Sequence, residues 1–189
     1  AQDVSAKGTV GLHNFTYNGY TVDEASADVN YSDQAVTIDS LSAKAFGADI
    51  RGKGQYDVKT GAYAAEADVN GLDVTAVPKM PVAAMGVVSA SLRAVGNSQD
   101  SSIAATGTVQ ASNLSYNGLT ADQASADVTY DGHIVTVHNG HAEAGSGSLD
   151  ISGSYDVDQQ RPQFSFTAHD LPLDMASPLL SIPMSGTAD

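Results

Sequence analysis

The chain has 189 residues, 42% of them hydrophobic, and a formal net charge of −14 from 22 acidic and 8 basic residues. Because DNA and RNA binding needs clustered Lys and Arg to neutralise phosphates, this charge excludes nucleic acid as a partner. The absence of cysteine excludes disulfide bridges and cysteine metal ligands, and no apolar run approaches the roughly 18 residues of a membrane-spanning helix.

The first third of the chain alternates apolar and polar residues with a period of two. This pattern is typical of a sheet with one dry and one wet face. We predict strands near residues 8–17, 20–31, 35–45, 47–58 and 62–70. Tight turns at Asn18-Gly19 and Ser32-Asp33 should make neighbouring strands antiparallel. The alternation slips near Asn14, which predicts a β-bulge that bends the sheet.

The alternation stops after the fifth strand, and residues 71–86 include Pro78 and Pro81. Because proline cannot donate to a strand ladder, this segment is not a central strand. We predict a short helix or loop that crosses the end of the sheet. A new strand should begin near Met85.

The rest of the chain repeats this plan at an offset of 99 residues (107 − 8 = 99), and Gly8 to Val58 aligns with Gly107 to Val157 without a gap. We predict matching strands near residues 103–116, 119–131, 134–143, 147–157 and 163–169, with turns at Asn117-Gly118 and Asp131-Gly132, a bulge near Asn113 and a crossing segment at 171–180. Such a period is typical of arrays in which each unit buries its apolar face mainly through its neighbours.

Two predicted domains follow from the period. Residues 1–98 form the first unit, with five to six strands and the crossing segment 71–86, and residues 99–189 form the second, continuous with the first. The stretch from Met184 to Thr187 aligns with residues 85–88, where a strand should begin. We therefore expect the sequence to be a fragment of a longer array.

The predicted fold is all-β: a long, curved, mainly antiparallel sheet folded into an open, taco-like groove with an apolar interior. The alternative is a closed β-sandwich, whose two apolar faces seal each other. The groove is favoured because the apolar residues are mostly small, with 4 Phe and no Trp, and because a repeat that adds strands extends a trough indefinitely. The predicted groove lining comprises Val10, Leu12, Phe15, Tyr17, Val29, Tyr31, Val36, Ile38, Ile50, Tyr56, Val109, Leu114, Tyr116, Val128, Tyr130, Val135, Val137, Leu149, Ile151, Tyr155, Phe164 and Phe166.

Four motifs resemble the TamB and AsmA-like envelope proteins, a family of repeating β-groove modules that includes the eukaryotic bridge-like lipid transfer proteins. They are N-L-x-Y-x-G from Asn113, D-V-x-Y-D-G from Asp127, I-S-G-S-Y-D-V from Ile151, and the Leu/Pro-rich segment that ends at Ser185-Gly186. Their order and spacing, in both copies, carry the resemblance.

The resemblance implies a function and a location. It implies a periplasmic protein of a diderm bacterium, anchored in the inner membrane, whose groove passes phospholipid toward the outer membrane. It also implies an outer-membrane barrel of the assembly-factor type as a partner. The sequence itself shows neither a transmembrane anchor nor a segment recognisable as barrel-binding.

Three hypotheses for function remain in view. The first is a lipid conduit, for which a continuous apolar lining is needed because each buried CH₂ contributes roughly 0.8 kcal/mol. The second is a scaffold that pairs its open edges with strands of nascent outer-membrane barrels. The third is a stalk or adhesin with a closed, dry interior. In isolation, open edges and an apolar trough should also make the chain self-associate.

Catalytic and metal sites are not indicated. His133, His138 and His141 lie close in sequence, but Gln34, Asp39 and Ser42 occupy the aligned positions of the first copy. We therefore interpret them as exposed turn and strand residues, with neither metal nor cofactor. No G-x-S-x-G motif occurs, which argues against a serine hydrolase. Most Asp and Glu are assigned to the wet face, where they favour solubility.

Overall fold

The structure, a computed structural model, describes residues 5–17, 19–78, 84–116, 119–172 and 187–188. It is all-β, and the described residues contain no α-helix. A three-residue 3-10 helix, Val74–Ala76, is the helical element within them. The strands are β1 Ala6–Tyr17, β2 Tyr20–Ser32, β3 Ala35–Ala45, β4 Ala48–Asp57, β5 Ala62–Asp73, β6 Ala84–Asn97, β7 Ser102–Tyr116, β8 Leu119–Tyr130, β9 Ile134–Ala144, β10 Gly147–Asp156, β11 Arg161–His169, β12 Leu171–Pro172 and β13 Thr187–Ala188.

Strands β1 to β11 form one open sheet in chain order, and β12 pairs with β13 separately. Every described pair is antiparallel. The ten predicted strands are all present, with ends within three residues of prediction. Strand β6 completes the sheet between the two copies. At about 4.8 Å between strands, the eleven strands extend for about 48 Å.

Strand bounds recur at the sequence offset. β3 and β9 begin and end 99 residues apart, as do β4 and β10. In both copies the third strand carries an extra residue relative to both neighbours. In the pairing with the following strand, the extra residue lies between Ile38 and Leu41 in β3 and between Val137 and Gly140 in β9.

The register sorts the side chains onto two faces. Directly paired residues of neighbouring strands point to the same side, and residues alternate along each strand. One unbroken row crosses the whole sheet and contains only apolar residues and glycine: Val10, Ala27, Leu41, Gly52, Ala67, Leu92, Gly107, Val128, Val137, Gly153 and Phe164. We call the side that carries this row the apolar face.

The opposite side is the polar face. The adjacent row there runs through nine strands and, after Gly11, contains only polar and charged residues: Ser26, Ser42, Arg51, Asp68, Ser91, Thr108, Asp127 and His138. The strand register therefore keeps apolar residues on one face and polar residues on the other from strand to strand.

The predicted bulges near Asn14 and Asn113 have different outcomes. Both residues have a left-handed φ, 50° and 52°. In β7 the extra residue lies between Ser112 and Ser115, against β6. The β1–β2 register runs through Asn14 without a shift, so no bulge forms against β2.

The predicted turns are only partly correct. Asp33 and Gln34 have φ of 49° and 66°, so the left-handed pair lies one residue later than Ser32-Asp33 because β2 continues through Ser32. Gly132 has a φ of 98° as expected. Asn18 and residues 117–118 lie outside the described residues.

The first crossing segment folds against one end of the sheet. Asp73 N–H donates to the Phe46 carbonyl at 3.0 Å, and the Asp73 carboxylate accepts from Thr75 N–H at 2.8 Å, which caps the 3-10 helix. Ala45, Ala48 and Val74 are buried at this end, 1–7% exposed. The helix lies within the segment predicted to cross, but that segment is shorter than 71–86, because 71–73 belong to β5 and 84–86 to β6; in the second predicted segment, 171–180, Leu171–Pro172 form strand β12. Residues 79–83 and 173–186 lie outside the described residues.

The described residues form one eleven-stranded sheet and a two-stranded one, and large side chains of the apolar face such as Val10, Leu92 and Phe166 are 40–63% exposed. The closed sandwich is therefore not the arrangement found. Four apolar residues are buried in the described ranges, three of them alanine: Ala45, Ala48, Val74 and Ala144.

Substitution of Gly107 can test how closely strands β6 and β7 pack. A Cβ at Gly107 would meet the Ser91 carbonyl and, at 2.6 Å, Leu92 Cδ2, whereas nothing lies within 4 Å of a Cβ at Gly8, its counterpart 99 residues earlier. We expect Gly107→Ala to lower the free energy of unfolding by about 1–3 kcal/mol because of this crowding. Gly8→Ala should change it by no more than about 0.5 kcal/mol.

Urea unfolding of both variants measures the difference. Equal effects of the two substitutions would contradict the packing of β6 against β7.

Candidate functional site

The apolar face is the candidate functional site. It is exposed: Val10 is 55% exposed and Phe166 63%, at the two edges, and Leu92 in the middle is 40% exposed. An uncovered apolar surface of this extent is unusual for a protein surface and is typical of an interaction or ligand site.

Glycines on this face lie beneath large side chains. Gly107 lies under Leu92, and Gly153 lies under Phe164, with distances of 2.6 Å from an added Cβ to the nearest side-chain carbon. The hydroxyl end of the Tyr63 ring lies over Gly96 in the same way. Each pair consists of directly opposite residues on neighbouring strands. Because each large side chain covers the glycine opposite it, the surface of the apolar face is flatter than the sizes of its side chains suggest.

The polar face is held by hydrogen bonds across strands. The Asp28 carboxylate accepts from Thr9 Oγ1 at 2.7 Å and from Ser40 Oγ at 2.9 Å, which links β1, β2 and β3. These hydroxyl donors, Thr9 first, hold the pKa of Asp28 below its ordinary value. Ser91 Oγ similarly donates to Asp68 at 2.6 Å.

Two of the described hollows lie on the polar face or at its border. One, of about 340 Å³, is bordered by Lys53, Glu66 and Arg93. The Glu66 carboxylate lies 2.9 Å from Lys53 and 3.9 Å from Arg93, so the charges there are already paired. Another, of about 440 Å³, lies between Gln110, Gln123 and other polar side chains. Ile38, which lines the first hollow, is the one residue of these two linings that belongs to the predicted groove lining.

The histidines have separate partners. His133 Nδ1 lies 2.7 Å from Asp158, His141 Nδ1 lies 2.7 Å from Asp150, and His138 is 3.5 Å from the Thr129 hydroxyl. The hydrogen bond to Asp158 is the main cause that raises the pKa of His133. Within the described ranges, no group of three His, Cys, Asp or Glu side chains is placed to hold a metal ion.

The register places most of the predicted lining residues on the apolar face. These are Val10, Leu12, Val29, Tyr31, Val36, Ile38, Ile50, Tyr56, Val109, Val128, Tyr130, Val135, Val137, Leu149, Ile151, Tyr155, Phe164 and Phe166. Phe15 follows Asn14 and Leu114 follows Asn113, and the left-handed φ of these two asparagines interrupts the alternation. Phe15 pairs with Val22. The side chains of Tyr17 and Tyr116 lie outside what is described.

Sequence reasoning left out several residues of this face. Leu41 and Leu72 follow extra residues in β3 and β5, which shift their parity. Leu92 lies in β6, which had no predicted bounds, although Val88, Ala90 and Leu92 alternate with serines and could have revealed the strand.

Comparison of the chain with protein-family models, with curated protein sequences and with solved structures gave no match. Within the described ranges, no helix has the length and hydrophobicity needed to cross a bilayer.

The polar-face carboxylates predict acid sensitivity. A carboxylate whose folded pKa is lowered contributes stability above its unfolded pKa, and this contribution is lost as the pH falls through the folded pKa. Asp28, Glu66 and Asp150 all have lowered pKa values, caused first by side-chain hydrogen bonds from Thr9, Lys53 and His141. The free energy of unfolding should therefore decrease below about pH 4.

Urea midpoints between pH 7 and pH 2 measure this decrease. Asp28→Asn, which keeps an acceptor oxygen but cannot ionise, should be less stable than the unmodified chain at pH 7. The gap should close toward pH 2. A gap that is independent of pH would contradict the role of the Asp28 charge.

Proposed function

We propose that this chain is a non-enzymatic module of a lipid conduit, in which the apolar face shields phospholipid acyl chains. The observation that carries the proposal is the unbroken apolar row through eleven strands, from Val10 to Phe164, in which Val10, Leu92 and Phe164 are 38–55% exposed. An uncovered apolar surface about 48 Å long needs an apolar occupant.

The chemistry of the face suits acyl chains. Burial of apolar area is non-directional and roughly proportional to area, so a lining without polar groups binds hydrocarbon without fixing its position. Gly107 beneath Leu92 and Gly153 beneath Phe164 reduce the relief of the surface. Low relief and uniform chemistry would let a chain slide without a deep trap.

The proposal includes the shape and context that the sequence predicts. The sheet bends toward its apolar face into an open, taco-like groove, and two tandem units, 1–98 and 99–189, each supply part of it. Extra residues in β3, β5, β7 and β9 support bending, because bulges bend strands and increase twist. The location would be the periplasm, between an inner-membrane anchor and an outer-membrane barrel of the assembly-factor type.

The second candidate function is a scaffold that pairs its edge with strands of a client barrel protein. It is favoured by the order of the sheet, in which β1 and β11 each have a neighbour on one side only among the described strands. Unpaired edges are templates for strand addition. A stalk with a sealed interior fits less well, because large side chains of the apolar face such as Val10, Leu92 and Phe166 remain exposed in the described residues.

A charge on the apolar face should abolish lipid binding. We expect Val128→Arg, within the row, to reduce bound phospholipid at least about tenfold, because a guanidinium would have to be desolvated against the acyl chains. Thr129→Arg adds the same charge to the next residue, whose side chain lies on the polar face with Thr106 and Thr136, and should bind lipid normally.

Native mass spectrometry of the chain purified with phospholipid measures binding. Circular dichroism checks that both variants keep their strand content. Absence of bound lipid on the unmodified chain, across lipid types and concentrations, would overturn the proposed function.

Edge pairing separates the conduit from the scaffold. Because the chain has no cysteine, Lys7→Cys places a single thiol on edge strand β1, and Lys53→Cys places one on interior strand β4 as the control. In the purified chain we expect concentration-dependent dimers, with disulfides through position 7 and not through position 53. An apparent mass of one chain at every concentration would contradict self-association.

The same variants can be oxidised in cells that produce the native envelope. Crosslinks from position 7 to neighbouring modules would support the conduit, and crosslinks to barrel proteins would support the scaffold.

A further inference from the structure

The two ends of the strands differ chemically. Five of the eight tyrosines lie at one end, next to the connections that follow β2, β4, β6, β8 and β10. They form two lines across directly paired strands and are named here the tyrosine rim: Tyr31, Tyr56, Tyr63, Tyr130 and Tyr155. The register places all five on the apolar face.

Three hydroxyls of the tyrosine rim reach the connections at this end. Tyr56 Oη lies 3.1 Å from Ser98 Oγ, Tyr63 Oη donates to the Ser102 carbonyl at 3.2 Å, and Tyr130 Oη donates to the Gly132 carbonyl at 2.7 Å. Each partner lies in, or next to, a connection. These rings therefore span from the apolar face to the wet edge, as tyrosines do where an apolar phase meets water.

At the opposite end of the sheet two of the strand connections cover small apolar residues, whereas Phe15, Tyr20 and Met85 at the same end are 42–56% exposed. Ala45, Ala48 and Val74 are buried there, where the crossing segment packs against the β3–β4 turn. Ala144 is buried at the equivalent turn of the second copy. The described connections 46–47, 74–78 and 145–146 at this end contain no charged residue, and the connection after β11 contributes one carboxylate, Asp170. We call this the capped end.

Charge also distinguishes the two ends. The connections behind the tyrosine rim, residues 33–34, 58–61, 98–101, 131–133 and 157–160, carry four carboxylates against one lysine, and Asp57 and Asp156 end the adjoining strands β4 and β10. Several carboxylates also cap turns: Asp57 accepts from two backbone N–H groups and Asp131 from two. They remain anionic, since these backbone donors hold the pKa of both groups low.

We propose that the bound phospholipid lies along the strands, with its head group at the tyrosine rim and its tails toward the capped end, and that the preferred head group carries an ammonium. The proposal rests on the proposed function. Ammonium groups bind to tyrosine π-faces, and Tyr56 is 37% exposed at this rim. The net negative charge of the connections favours an ammonium and disfavours an anionic head group that lacks one.

Orientation is testable on the unmodified chain. The isotopically labelled protein is loaded with phospholipid that carries a nitroxide on a quaternary ammonium head, and paramagnetic broadening of backbone amides is measured. We expect the strongest broadening in residues 32–34, 98–101 and 131–133, and the least at 45–48. The strongest broadening at the capped end, or equal broadening at both ends, would overturn the orientation while leaving lipid binding intact.

Head-group preference is tested by competition in native mass spectrometry between ethanolamine and glycerol phospholipids with identical tails. The unmodified chain should bind the ethanolamine lipid several-fold better. Asp33→Lys with Asp158→Lys, behind the rim, should remove or reverse this preference. Asp23→Lys with Asp49→Lys changes the net charge equally near the capped end and should preserve it.

The outcomes separate the two proposals. If the rim variant still binds lipid and keeps the ethanolamine preference, the head-group proposal is wrong and the conduit stands. If the unmodified chain binds neither lipid, the proposed function itself fails.

Discussion

Strand register is the constraint on which the structure depends. An extended strand places alternate residues on opposite faces, so a slip of one residue between neighbours would move a whole strand's apolar residues to the polar face. The chain avoids this across ten successive pairings, and one row from Val10 to Phe164 remains apolar throughout. Extra residues in β3 and β9 are absorbed locally, because both neighbouring strands lack a partner for the added position.

A single sheet without a packed core must be stabilised differently from an ordinary domain. Few apolar residues are buried in the described ranges, so burial within one layer contributes less than it does in a sandwich. Cross-strand contacts take its place: backbone ladders, side-chain links such as Thr9–Asp28–Ser40 on the polar face, and large residues that cover glycines on the apolar face. A ligand that bound only the folded sheet would stabilise it further, by mass action.

Much of this architecture could be predicted from the sequence. Period-two alternation and turn residues located ten strands, and the offset of 99 residues made each copy a check on the other. Three other features depend on the register in which consecutive strands pair. The parity of Leu41 depends on where the extra residue of β3 is absorbed. The cover of Gly107 by Leu92 depends on the β6–β7 register, and the hollow at Glu66 depends on several strands meeting.

The number of strands between equivalent positions has a geometric consequence. From β1 to β7 the chain advances by six strands and 99 residues, and every pairing is antiparallel. Six is even, so β7 runs in the same direction as β1, and each later copy in such a series would start with the same polarity. An odd count would reverse every second copy and alternate the chemistry of its two ends. Even parity would instead keep the tyrosine rim on the same long border of the sheet in every copy, with the buried alanines of the turns on the other.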